Sequence, residues 1–84
     1  MIRDLAELAR VTGGVLTGSN AAFGAVISDS RALEPGALFV ALRGERFDGH
    51  QFVPEAQQKA AAGALVERQV ATQLPQVIVR DALA

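Results

Sequence analysis

The pattern of apolar residues calls for a single small α/β domain. A short amphipathic helix opens the chain, a strand–helix–strand unit occupies Ala37 to Val66, and further strand-like runs flank that unit. The composition agrees: 84 residues suit one domain, and 50% hydrophobic with 20% charged residues is globular, not disordered. A net charge of −1 argues against nucleic-acid binding by bulk charge, and so do only four aromatic residues, all Phe. Without cysteine there are no disulfides or thiolate sites, and one His alone makes structural zinc untenable. No apolar run approaches a membrane span, and the first residues lack a secretory h-region, so the expectation is a soluble cytoplasmic protein.

Each element has its own reason. Ile2, Leu5, Ala6, Leu8 and Ala9 recur at helical spacing, Arg3, Asp4, Glu7 and Arg10 fill the other face, and Gly13-Gly14 stops the helix. Val15–Thr17 predicts a short strand and Gly18-Ser19-Asn20 a turn. Phe23–Ser28 reads as a strand with Phe23, Ala25 and Ile27 on one face and Val26 on the other. Pro35-Gly36 is a turn, and Ala37–Leu42 is an unbroken apolar run suited to a strand covered on both faces, with Phe39 in the core. His50–Ala62 predicts a helix with Pro54 in its first turn, a slim Ala56, Ala60 and Ala61 face, and Gly63 as C-cap. Ala64–Val66 and Gln76–Val79 are further strands. Asp81–Ala84 begins like a helix with Asp81 as N-cap, which points to a longer parent chain.

No phosphate loop, G-x-S-x-G or G-x-G-x-x-G motif is present, so no catalytic constellation is expected from spacing. Two polar clusters each follow a predicted strand: Ser28-Asp29-Ser30-Arg31, and Gly44-Glu45-Arg46-Phe47-Asp48-Gly49-His50. Ligands of open α/β sheets bind beyond the carboxyl ends of the strands. Were the two strands parallel, one rim would offer hydroxyls, two Arg, backbone N–H groups and a Phe ring, a set suited to a nucleotide. Only Asp29–Gly36 joins these strands, however, and a parallel crossover usually needs a dozen or more residues. Spacing also allows plainer roles. Asp29 and Ser30 suit an Asx-type turn, and Arg31 and Arg46 suit surface charges or partners of Asp29, Asp48 or Glu45. Phe47 suits a core or loop anchor, and His50 an N-cap or local hydrogen bonder.

The ordered string Ser28-Asp-Ser-Arg31, Pro35-Gly36, Leu38-Phe-Val-Ala-Leu42, Gly44-Glu-Arg-Phe-Asp-Gly-His50 and Ala64-Leu-Val-Glu67 resembles the N-terminal domain of the Mur ligases, over roughly Leu5 to Asp81. The stretch Gly44–His50 is most similar to the MurF branch, which adds D-alanyl-D-alanine, with the MurE branch as the nearest alternative. Departures are Ser28 where Thr is common, Ala37 where a polar residue often stands, and Ala60-Ala61-Ala62 in a stretch usually broken by Gly.

The resemblance implies a small mixed, largely parallel sheet with flanking helices. It makes residues 1–84 the domain that binds the UDP end of UDP-N-acetylmuramoyl-tripeptide in peptidoglycan precursor synthesis. Ser28–Arg31 and Gly44–His50 would be the site, with Ser28 and Ser30 at the uridine and Arg31 or Arg46 at the diphosphate. Gly44 and Gly49 would let the backbone approach closely, and Arg68 would lie outside both loops. ATP and magnesium would serve a central ATPase domain of the parent enzyme, a third domain would bring the dipeptide, and the 84 residues alone would need no cofactor and be inactive. A different class of role, a non-catalytic interaction domain that kept the fold, would show no ligand.

Overall fold

The computed structural model describes residues 2–45 and 47–80. The helix start expected at Asp81, and Arg46, lie outside the described residues. Helix α1 (Leu5–Thr12) is capped by the Asp4 carboxylate, which accepts from Glu7 N–H at 2.8 Å, and by Gly13 at its end. Strands β1 (Val15–Thr17), β2 (Val26–Ile27) and β3 (Leu38–Val40) follow, then helix α2 (Val53–Gln58) and strands β4 (Gly63–Val66) and β5 (Gln76–Ile78).

The strands form one sheet in the order β1-β5-β4-β3-β2. Strands β2 to β5 run parallel, and β1 closes the edge antiparallel to β5. Side-chain alternation along the strands builds two cores. Leu38, Leu65 and Val77 face α1 with Leu5, Leu8 and Ala9, while Phe39, Ala64 and Val66 face α2 with Val53 and Ala56. Both faces of the central strands are therefore covered, as an unbroken apolar run requires.

The short link between β2 and β3 carries a parallel crossover after all. A strand of two or three residues spans only about 10 Å, so the return path is short. One 3₁₀ turn, Ser30–Ala32, and one turn at Pro35-Gly36 suffice. The second turn is closed by Ala37 N–H to Glu34 C=O at 3.2 Å, with Gly36 at φ 83°.

Three expectations need correction. The strand predicted over Phe23–Ser28 contracts to Val26–Ile27, because residues 21–23 bond to the N-terminal segment instead. Leu5 N–H donates to Ala21 C=O and Phe23 N–H to Arg3 C=O, both at 3.0 Å. The helix predicted over His50–Ala62 starts as a 3₁₀ turn, Gly49–Phe52, and ends at Gln58. Gly63 is no C-cap: it lies in β4, where a Cβ would stand 2.8 Å from Leu5 Cδ1, so its bare backbone lets α1 sit down on the sheet.

The left-handed position after α2 is taken by Ala60, at φ 59°, and the wide closing bond runs from Ala61 N–H to Ala56 C=O at 3.0 Å. An L-residue there costs about 1–2 kcal/mol, which glycine avoids while adding some unfolded-state entropy. Ala60→Gly is therefore expected to stabilise the chain by roughly 0.5–1 kcal/mol and raise Tm by about 2–6 °C. A lower Tm on thermal melting would show that the backbone is not left-handed there.

Candidate functional site

Parallel strands put their carboxyl ends on one rim. Residues 28–31 leave β2, 43–50 follow β3, and 67–68 follow β4. Two neighbouring clefts of about 410 Å³ each open there. Ser28, Asp29, Ser30 and Arg31 line the first with Phe47, Phe52 and Glu55; Arg43, Gly44, Glu45, Asp48 and Gln51 line the second with the same two rings. Phe47 and Phe52 stack with centroids 5.4 Å apart and form the wall between the clefts. Phe47 is half exposed.

The first turn is an Asx turn as well as a cleft wall. Asp29 Oδ1 accepts from Arg31 N–H at 2.9 Å, and the Arg31 guanidinium donates to both Asp29 oxygens at 3.1 and 3.0 Å. The Arg31 side chain holds the Asp29 carboxyl below its ordinary range, helped by the Arg31 backbone N–H. Ser30 is buried, and its carbonyl accepts from Lys59 Nζ at 2.8 Å, which ties the turn to α2.

The second loop divides. Gly44, Glu45, Phe47 and Asp48 border open space, whereas Gly49 and His50 lie buried beneath it. Gly49 does allow a close backbone approach, but toward its own chain: a Cβ would stand 2.9 Å from both Leu42 N and Leu42 O. Gly44 meets nothing tighter than ordinary contact. The His50 ring uses both nitrogens, Nδ1 against Asp48 Oδ1 at 2.7 Å and Nε2 accepting from Glu67 N–H at 2.9 Å. Asp48 also accepts from Arg68 Nη2 at 2.9 Å, and this bond, with the His50 N–H groups, holds its carboxyl well below the usual carboxylate range. Arg68 therefore belongs to the second loop's support and not outside it.

Phe52 and Glu55 were not legible as cleft residues. Phe52 looks like core in a helical pattern, and Glu55 like a solvated first-turn acid. In the sequence pattern Gln76 is simply a strand residue. It is buried, and its side chain bonds both Val70 N–H and Val70 C=O, pinning the loop between β4 and β5.

The clefts are equipped to hold a ligand by ring face, hydroxyl and guanidinium. They do not fit a metal–triphosphate group. The only lysine, Lys59, is held by Glu55 and the Ser30 carbonyl. Among the described residues no group of three or more His, Asp or Glu side chains is placed to hold a metal ion. Nor is any helix among them long and apolar enough to cross a membrane.

Residues 22–83 match the sequence profile of the "Mur ligase family, catalytic domain". Over 77 residues the chain is 46% identical to the UDP-N-acetylmuramoyl-tripeptide–D-alanyl-D-alanine ligase of Escherichia coli (strain K12), covering 92% of this chain and 17% of that protein. Over 53 residues it is 43% identical to the UDP-N-acetylmuramoyl-L-alanyl-D-glutamate–2,6-diaminopimelate ligase of Aquifex aeolicus, covering 63% and 11%. The crystal structure of MurF from Acinetobacter baumannii superposes with a TM-score of 0.78 at 32% identity, over 89% of this chain and 17% of that one. MurF of Thermotoga maritima in complex with ADP gives 0.65 at 30% identity, over 70% and 14%. The chain thus spans 17% or less of the length of each of these relatives. The structural likeness agrees with the mixed sheet described above, and by profile, sequence and fold the chain belongs to the Mur ligase family, with the fold of its N-terminal domain.

Proposed function

We propose that this chain holds the UDP end of UDP-N-acetylmuramoyl-tripeptide, as the N-terminal domain of a cytoplasmic, ATP-dependent ligase that adds D-alanyl-D-alanine to it. The observation that carries this reading is the meeting of the Ser28–Arg31 turn with the Phe47 ring in one cleft at the strand ends. Phe47 offers a face to the base, and Ser28 and Ser30 offer polar groups to the uridine. Pairing with Asp29 takes up the Nε–Nη2 edge of Arg31, so its Nη1 is the group offered to a phosphate. Arg46, from the same loop as Phe47, is the second phosphate candidate on sequence grounds. The D-alanyl-D-alanine branch is favoured over the diaminopimelate branch by coverage, 92% of this chain against 63%. With no phosphate loop in the sequence, ATP, magnesium and the acyl-transfer step are assigned to the remainder of the longer enzyme.

Titration of the 84-residue chain with UDP, with uridine as the phosphate-free control, tests this by chemical-shift perturbation. Shifts are expected at residues 28–31 and 44–52, weaker for uridine and weakened by salt. Arg46→Ala is expected to lower UDP affinity about tenfold or more, as loss of a charge-assisted hydrogen bond should. Arg10→Ala, on the exposed face of α1, should change nothing. Shifts that avoid both loops, or equal losses for Arg46 and Arg10, would reject the site.

A further inference from the structure

The loop that carries Phe47 is a small hairpin whose two limbs are fastened at one place. Arg43 and Asp48 face each other as an antiparallel bridge, and Gly44 N–H donates to Phe47 C=O at 2.7 Å. Just beyond β4, two consecutive residues take one limb each. Glu67 Oε1 lies 3.6 Å from Arg43 Nη2, and Arg68 Nη2 donates to Asp48 Oδ2 at 2.9 Å. Beneath them the buried His50 ring joins the same two points, Asp48 Oδ1 and Glu67 N–H. A ring nitrogen that accepts from a backbone N–H carries no proton, so Nε2 is bare and Nδ1–H donates to Asp48. That tautomer is assigned from its partners.

We propose that Arg68, Glu67 and His50 are positioning residues: they fix the Arg43–Asp48 hairpin to the end of β4 and so set where Phe47 stands for a bound nucleotide. Neither Glu67 nor Arg68 lines either cleft, and both are distant in sequence from the loops they hold. The Arg68 side chain is half exposed, and an ion pair so exposed adds little to global stability. Its geometric consequence is larger. Two ion pairs, one from each limb to the consecutive residues Glu67 and Arg68, and the His50 ring hydrogen-bonded between Asp48 and Glu67, all tie the hairpin base to the end of β4. Asp48 stays ionised through the physiological range, so the arrangement does not open by carboxylate protonation.

The proposal rests on the reading of the clefts as a nucleotide site, and the test separates the two. In Arg68→Ala, contacts between the Phe47 and Phe52 rings are expected to fade in NOE spectra, and the Nδ1–H imidazole pattern of His50 to broaden in long-range ¹H–¹⁵N spectra. UDP affinity is expected to fall about three- to tenfold while Tm shifts little. Arg68→Lys, which keeps the charge and one donor, should recover most of that affinity. Unchanged ring contacts and unchanged UDP affinity in Arg68→Ala would overturn the proposal and leave the nucleotide site standing. Loss of ring contacts in the variant, with no UDP binding by the unsubstituted chain, would uphold the clamp and overturn the nucleotide reading.

Discussion

Phe39→Ala is expected to destabilise the chain by about 3–5 kcal/mol, a large share of the 5–15 kcal/mol typical of a whole domain. Phe39 is fully buried on β3, between β2 and β4. Its cluster is rich in small side chains, Ala41, Ala56, Ala61 and Ala64, which cannot swing into the space it would leave. The cavity therefore persists, and the cost sits toward the upper end of the range for Phe. Urea unfolding should show a much lower midpoint with an unchanged slope. A loss below about 1 kcal/mol would mean that the α2 face collapses onto the vacancy. Phe47→Ala is the matched comparison. That ring is half exposed and stacks on Phe52, so stability should stay within about 1 kcal/mol of the parent while UDP binding is lost.

Gly49→Ala is expected to cost about 2–3 kcal/mol, although it adds a single methyl group. The added Cβ would stand 2.9 Å from Leu42 N, 2.9 Å from Leu42 O and 3.1 Å from Ala41 Cα. These are backbone atoms of the chain leaving β3, and they cannot rotate away as a side-chain tip can. The 2.7 Å bond from Gly49 N–H to Leu42 C=O would lengthen, and His50 would move with it. The effect should appear twice, as a lower Tm and as weaker UDP binding through the displaced Phe47 loop. A variant with parental Tm and parental UDP affinity would mean that the two segments are farther apart in solution.

Much of this architecture is local chemistry and so was open to reading. The stop of α1 at Gly13, the turn at Pro35-Gly36 and Pro54 at the start of α2 depend on residues within a few positions of one another; Asp4, a polar-face residue in the sequence pattern, proves to be the α1 cap. The apolar run Ala37–Leu42 marked a doubly covered strand because both its faces are apolar. Resemblance in the ordered string Ser28–Glu67 supplied the family, which no single motif here would have done. The candidate clusters were visible as polar residues following strands. The roles within them were not, because Asp48, Gly49 and His50 look equally suited to solvent, ligand or support. Tertiary neighbours decide between these: Leu42 crowds Gly49, and Glu67 and Arg68 claim His50 and Asp48.

By itself the sequence determined the α/β class, the order of elements and the two polar clusters, since periodicity, caps and turn residues act over a few residues of chain. Tertiary structure decided the rest. It made β2 and β3 parallel across a short link, because strands of two or three residues need little return path. It ended α2 at Gln58 and placed Ala60 in the left-handed region, since the chain must already be extended at Gly63 to enter β4. It also drew Glu67 and Arg68 to the Phe47 hairpin, since parallel strands collect their carboxyl ends on one rim whatever the distance between them in sequence.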